Sequence, residues 1–370
     1  MATVAALVVF ATIMAAAPAE VFGHPGAHHV GNQGRCEALA SEGVDSYCDG
    51  LGSDGTCSCQ AGCEAEGNCC HDYQPVCAGD FGCAPDSGQI AYLHVSGLCS
   101  TQWDYPDDPD SLADVSGIDN AVSVDVFAVQ TGVTGTEISA KTLARYLDAC
   151  CTDSNSCVVY NYSNGDNVTG YALDQMASTS TVCTGGVCEE VLDWNILEVR
   201  TSAGNGGGSA LGEWGFISDL FTCSLASHLG VTESRALYDH NNTRGVPVHH
   251  IGGFLDQVDD GSSPYPLLEA GWYFLPWHND GATAYHSAGA RNTAVEWCGD
   301  GENLAWDSDY FGNWCQDEDL CSANYGTMFD GHSMAFCPML MEDIDHYEQK
   351  MAYIDLMGQV TACTTAADCD

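Results

Sequence analysis

Eight of the chain's twenty-two cysteines fall within residues 36–77. No other feature restricts the possible folds as strongly. A segment that short buries too little apolar surface to hold itself together and needs covalent staples. A metal cluster, a redox couple and a disulfide knot all use cysteines at this density. The even count, read together with the start of the chain, favours the knot. Residues 1–19, "MATVAALVVFATIMAAAPA", are small and apolar and end in Ala17-Pro18-Ala19, the pattern of a secretory signal cut after Ala19. A chain exported this way meets oxidising conditions, where cysteines pair as disulfides.

The charge narrows the partners. Fifty-two acidic residues face eight basic ones, for a formal charge of -44. Phosphate-rich surfaces repel such a chain, so nucleic acid is excluded as a partner. Beyond residue 23 no apolar run reaches the ~20 residues of a membrane span, and no span is expected in the mature chain. The expected location is secreted and extracellular. The sequons at Asn161, Asn167 and Asn241 fit that compartment as glycosylation sites.

The expected organisation is a signal over 1–19, a linker over 20–35, a knot over 36–80, and a larger domain over 81–370 carrying the remaining fourteen cysteines. The periodicity predicts a helix over 139–151, with Leu143, Tyr146, Leu147 and Cys150 on one face. It predicts two strands around an Asn-Gly-Asp turn in "SCVVYNYSNGDNVTGYALD". Near the C-terminus, Glu342, His346 and Lys350 line one face of a further helix, opposite an apolar stripe of Leu340, Ile344, Tyr347, Met351 and Ile354. Gly- and turn-rich stretches fill the middle. The expected class is therefore α+β: a small disulfide-knotted N-terminal module followed by a larger mixed domain with extra disulfides.

The knot has a recognisable spacing, Cys48-x8-Cys57-x-Cys59-x3-Cys63-x5-Cys69-Cys70-x6-Cys77, which closes on "CCHDYQPVC". It resembles the somatomedin B domain, most specifically in the cysteine doublet followed by x-Asp-Tyr. Cys36 lies farther ahead of Cys48 than is usual in that family. The resemblance implies pairing of Cys36 with Cys59, Cys48 with Cys77, Cys57 with Cys70 and Cys63 with Cys69. It also implies a docking unit for an extracellular protein partner, with Asp72 and Tyr73 as the contact pair. Family members also carry the knot as an appendage on secreted enzymes.

Two classes of function remain open for the rest of the chain. One is a protein-binding or structural role at the cell surface or matrix. The other is a secreted hydrolase with a histidine-lined site, for which His249, His250, His278, His286 and Glu296 are the candidate residues. Neutral imidazoles beside a carboxylate can hold zinc and activate water, although adjacent residues on a strand point to opposite faces and His278 and His286 are eight residues apart. Calcium is the other candidate cofactor. Asp300, Glu302, Asp307 and Asp309 supply hard oxygen ligands on a turn-rich stretch, though not in an EF-hand pattern.

Overall fold

The computed structural model describes residues 36–37, 46–97, 121–126, 135–213, 229–254, 279–283, 339–342, 346 and 349, with a few single-residue and short gaps inside these ranges. Its centre is a six-stranded sheet built from β1 (Ile90–Val95), β2 (Ala121–Val126), β3 (Ser156–Tyr162), β6 (Ile196–Ser202), β7 (Val248–Phe254) and β8 (Met339–Glu342). The strands run in the order β2-β1-β3-β6-β7-β8, and every neighbouring pair is parallel. A separate antiparallel hairpin, β4 (Thr179–Thr184) with β5 (Val187–Leu192), is inserted between β3 and β6.

The sequence of each strand explains its place. A strand covered on both faces reads as a continuous apolar run, and β1 (IAYLHV) and β3 (SCVVYNY) are buried along almost their whole length. At the edge, β2 (AVSVDV) is only partly buried. Parallel neighbours need crossover connections, which helices provide. Among the described residues the α-helices are α1 (Cys63–Glu66), α2 (Gly135–Cys150), α3 (Gly165–Tyr171) and α4 (Val231–Ala236). α2 carries the chain from β2 back past β1 to β3. Its Leu143, Tyr146 and Leu147 pack with Leu93, Val95, Val159 and Val199 of the sheet and with Val168 and Leu173. Tyr92, Val158, Tyr160 and Tyr162 form a second cluster from the alternate residues of β1 and β3.

This is an α/β arrangement, which corrects the expected α+β class. Turn-rich composition does not separate the two classes, because glycines and polar residues in the loops of a parallel sheet look the same as those of an antiparallel one. The predicted second strand after the Asn-Gly-Asp turn is likewise corrected. That segment is helix α3, so the chain turns from strand to helix at Ser163. The expected helix over 139–151 lies within α2 and the residue that follows it. Leu340, placed on the C-terminal helical stripe, belongs instead to strand β8.

The N-terminal module is held by Cys36–Cys59, Cys48–Cys77, Cys57–Cys70 and Cys63–Cys69. These are the four pairs that the somatomedin B resemblance implies. The half-cystines form the module's own core together with Tyr73. Asp72 and Tyr73 are buried, which corrects their expected role as a protein-contact pair. The Asp72 carboxylate accepts the backbone N–H groups of Cys36 and Glu37 at 2.7 and 2.8 Å, and so ties the start of the knot to its end. Burial pushes Asp72 up to about 6.

Glu37 then joins the two parts of the molecule. Its buried carboxylate lies 3.0 Å from Lys141 Nζ and accepts two bonds from the Arg145 guanidinium, both cations being on α2. Outside the knot, Cys83–Cys150 and Cys151–Cys157 anchor the two sides of the α2 C-terminus, and Cys183–Cys188 joins β4 to β5 at directly opposed positions. Among the described residues no helix is long and apolar enough to cross a membrane.

Candidate active site

The strand order reverses between β1 and β3, because the chain leaves β1 for β2 on one side and returns to β3 on the other. In open parallel sheets such a reversal opens a crevice at the carboxyl ends of the strands. Ser163 stands at that point, one residue past the end of β3 and two before the start of α3.

Its backbone is forced into the left-handed region, with φ at 53°. For a residue with a Cβ this conformation is uncommon and marks a tight strand-to-helix turn. The surroundings leave no space for a looser one. A Cβ on Gly165 would come within 2.4 Å of the Val95 carbonyl oxygen, so only glycine lets the first turn of α3 sit against β1. A Cβ on Gly97 would lie 2.8 Å from the Ser163 Cβ, so the loop leaving β1 passes directly beside the serine. The hydroxyl is thus half-buried at the meeting of two backbone stretches, 96–97 and 163–165.

Two distant segments complete the site. His346 Nε2 lies 2.9 Å from Ser163 Oγ, and His346 Nδ1 lies 2.7 Å from Asp280 Oδ2. The Asp280 carboxylate has its other oxygen, Oδ1, held by the backbone N–H groups of Ala282 and Thr283 at 2.9 and 2.7 Å. A carboxylate cannot donate, so Nδ1 carries the imidazole proton and Nε2 is left to accept from the serine hydroxyl. A second bond from Gln349 Nε2 reaches Asp280 Oδ2 at 2.8 Å. The backbone of the histidine segment is fixed as well. Tyr162 OH donates to the His346 carbonyl, and the His346 N–H donates to the Asp280 carbonyl, both at 2.9 Å.

A hydroxyl, a base that can remove its proton, and a buried carboxylate that orients the base form a constellation suited to nucleophilic attack on an acyl carbon. The other described histidines of known environment are unsuited to proton transfer there. His94, on β1, is fully buried, and burial pulls it down to about 3. His240 is buried against the Tyr238 ring at 3.7 Å.

The structure treats the residues singled out from sequence unevenly. His249 and His250 lie on β7, opposite Arg200 and Thr201 of β6. His278, His286, Glu296, Asp300, Glu302, Asp307, Asp309 and Asn241 fall outside the described residues. Asn161 and Asn167 are corrected as glycosylation sites, because both are fully buried and their amide nitrogens are already engaged. Asn161 donates to Thr201 Oγ1, while Asn167 donates to Asn164, Asn205 and Ser234. Among the described residues, Cys36, Cys59 and Cys70 bring their sulfurs within 4.8 Å of one another. All three are in disulfides, so they offer no thiolate to a zinc ion.

Sequence reasoning missed Ser163, Asp280 and His346 altogether as a site. Locally, Asn161-Tyr-Ser reads as a sequon, Asp280-Gly281 as a turn dipeptide and His346 as one of the residues opposite the C-terminal apolar stripe. A signal was present. In Asn161-Tyr162-Ser163-Asn164-Gly165 the serine and the last glycine keep the nucleophile-elbow pattern G-x-S-x-G, but asparagine replaces the first glycine. The order Ser, Asp, His along the chain also fits that class.

Compared with known proteins, the chain matches no family model and no curated protein. Among solved structures it is similar to a lipase of Bacillus licheniformis, BlEst2 in mature form, at 15% identity and a TM-score of 0.45, covering 75% of this chain and 94% of that one. It is similar to EstA from Clostridium botulinum at 11% identity and a TM-score of 0.41, covering 74% and 88%. Lipase 1 from Pelosinus fermentans gives 11% identity and a TM-score of 0.41, covering 73% and 97%.

Proposed function

We propose that this chain is a secreted serine hydrolase of the α/β-hydrolase type, acting on uncharged carboxylic esters and carrying a somatomedin B-like knot as a fixed appendage. The observation that carries this reading is the continuous hydrogen-bonded run from Ser163 Oγ through His346 to Asp280, with the serine on a left-handed strand-to-helix turn.

In this reading Ser163 Oγ attacks the ester carbonyl carbon as His346 Nε2 takes the hydroxyl proton. Asp280 holds the imidazole and stabilises the imidazolium that forms. The negative oxygen of the tetrahedral intermediate faces the backbone stretches at 96–97 and at Asn164, where peptide N–H groups would act as donors. Collapse breaks the bond to the alcohol oxygen, which leaves with the proton held on His346. The acyl group remains on Ser163. Water then attacks the acyl carbon, gives its proton to His346, and releases the carboxylic acid as that proton returns to Ser163. The formal charge of -44 disfavours anionic substrates such as phosphate esters, which supports a neutral ester.

Seven disulfides among the described residues support an oxidising extracellular compartment. The knot would meet a protein partner through a surface other than Asp72 and Tyr73, both of which are buried. Its attachment to α2 through Glu37 favours a fixed appendage over a module on a free tether.

The test is hydrolysis of p-nitrophenyl esters of increasing chain length, with labelling by a fluorophosphonate probe. Wild type should turn over at least one ester and take the label on Ser163. Ser163→Ala should lose about 10⁴-fold or more in kcat without a change in folding. Equal turnover by wild type and Ser163→Ala would reject the reading, as would a wild type that neither hydrolyses any ester nor takes the label.

A further inference from the structure

The hydrogen bond from Gln349 to Asp280 goes to Oδ2, the same oxygen that faces His346. Gln349 is fully buried, three residues after His346, and its own carbonyl accepts from Ser202 Oγ at 3.2 Å. His346 and Gln349 are therefore each secured through the backbone carbonyl, to Tyr162 at the end of β3 and to Ser202 at the end of β6. Asp280 is held from every side. Ala282 and Thr283 fix Oδ1 through their backbone N–H groups, and Gln349 and His346 share Oδ2.

Rotation about Cβ–Cγ moves both carboxylate oxygens, so the two N–H groups on Oδ1 already oppose it, but they leave open a tilt about Oδ1 that draws Oδ2 away from the imidazole. A donor on Oδ2, delivered three residues from the histidine, opposes that tilt and fixes the separation of the two side chains. We infer that Gln349 is a positioning residue: its side-chain amide holds the Asp280 carboxylate against His346. The inference rests on the proposed hydrolase reading and adds a fourth member to its site. Among the described residues, the groups facing the imidazole are Asp280, the Ser163 hydroxyl and the Tyr162 ring, whose centroid lies 5.4 Å away.

The experiment uses Gln349→Met in the full-length oxidised protein, because methionine keeps the length and volume of glutamine and removes the donor. Two readouts are taken beside the thermal midpoint. In ester hydrolysis, kcat should fall about tenfold or more, the size expected for one bond to a charged group, with KM within about twofold of wild type. In proton NMR, the low-field resonance of the His346 Nδ1–H, identified by its loss in His346→Ala, should shift or broaden in Gln349→Met.

A wild-type kcat with an unmoved resonance overturns the inference. So does a fall in kcat that follows a lowered midpoint while the resonance stays in place, since packing alone would explain it. A wild type with no such resonance overturns it as well. The resonance is measured whether or not the protein hydrolyses anything. If it moves in Gln349→Met but wild type has no esterase activity and takes no label, the positioning of Asp280 against His346 stands and the hydrolase reading fails.

Discussion

The knot and the sheet solve the same problem in opposite ways. Residues 36–77 are held by four disulfides whose sulfurs make up most of the module's buried interior. The sheet domain is held by a broad apolar cluster that includes β1, β2, β3, β6, α2 and α3, and among the described residues its disulfides sit at the ends of elements or on the β4–β5 hairpin. A covalent tie fixes topology without needing close packing around it. Close packing fixes positions to fractions of an ångström, which is what a proton relay among three side chains needs. The difference explains why the candidate chemistry is on the sheet and why the knot, though rigid, is the less suitable place for it.

The contrast can be broken experimentally, and the largest effect should come from the packed region. Leu143→Ala removes a fully buried side chain from α2 and should cost about 4 kcal/mol. Denaturant melts should reveal it, with ester hydrolysis lost over the same transition. In the knot, Cys57→Ser combined with Cys70→Ser removes a bridge spanning 13 residues and should cost about 3 kcal/mol. Here hydrogen exchange should rise across 36–77 while the amides of β1 and β3 stay protected and kcat is unchanged. A parallel loss of kcat would show that the knot and the site are one cooperative unit.

The joint between the regions should yield a smaller effect. Glu37→Gln removes the charge that Lys141 and Arg145 share. Those cations are about a third exposed, so solvent screens them and the cost should be about 1 kcal/mol. Exchange at the amides of Cys36 and Glu37 should quicken, and added salt should reduce the difference from wild type. A further effect is one of pH. Burial raises Asp166, just past the strand-to-helix turn, from 3.8 to about 7. The folded chain therefore holds this proton more tightly than the unfolded chain does. The stability it contributes is full below about pH 4 and is lost as pH rises through about 7. Asp72 acts with the same sign over the narrower window up to about 6. Thermal midpoints from pH 4 to 8 should thus decline less in Asp166→Asn than in wild type, and an identical slope would contradict the buried, protonated state.

What could be read from sequence follows the same division. The knot's spacing is a one-dimensional pattern, and its resemblance carried the four pairings without any knowledge of shape. Leu143, Tyr146 and Leu147 announced α2 in the same way, by local periodicity. The site had no such pattern. Ser163, Asp280 and His346 are separated by more than sixty residues at each step, and each carried a plausible local reading of its own. The missing first glycine of the elbow, replaced by Asn161, removed the one short motif that would have joined strand, serine and helix. Asn161 is buried and bonded to Thr201 and Thr169, so the departure that hid the motif also supplies part of its support.

By itself the sequence determined that the N-terminal segment needs covalent staples, that the chain is strongly acidic and that an amphipathic helix covers 139–151, because each depends on residues close together in the chain or on totals that need no geometry, while the pairing of the staples came from the family resemblance. Tertiary structure alone decided that the sheet is parallel, that its strand order reverses beside β1, and that a serine, an aspartate and a histidine meet there. The reason is physical: side chains act across about 3 Å, and only the close packing of distant strand ends brings these three within that distance.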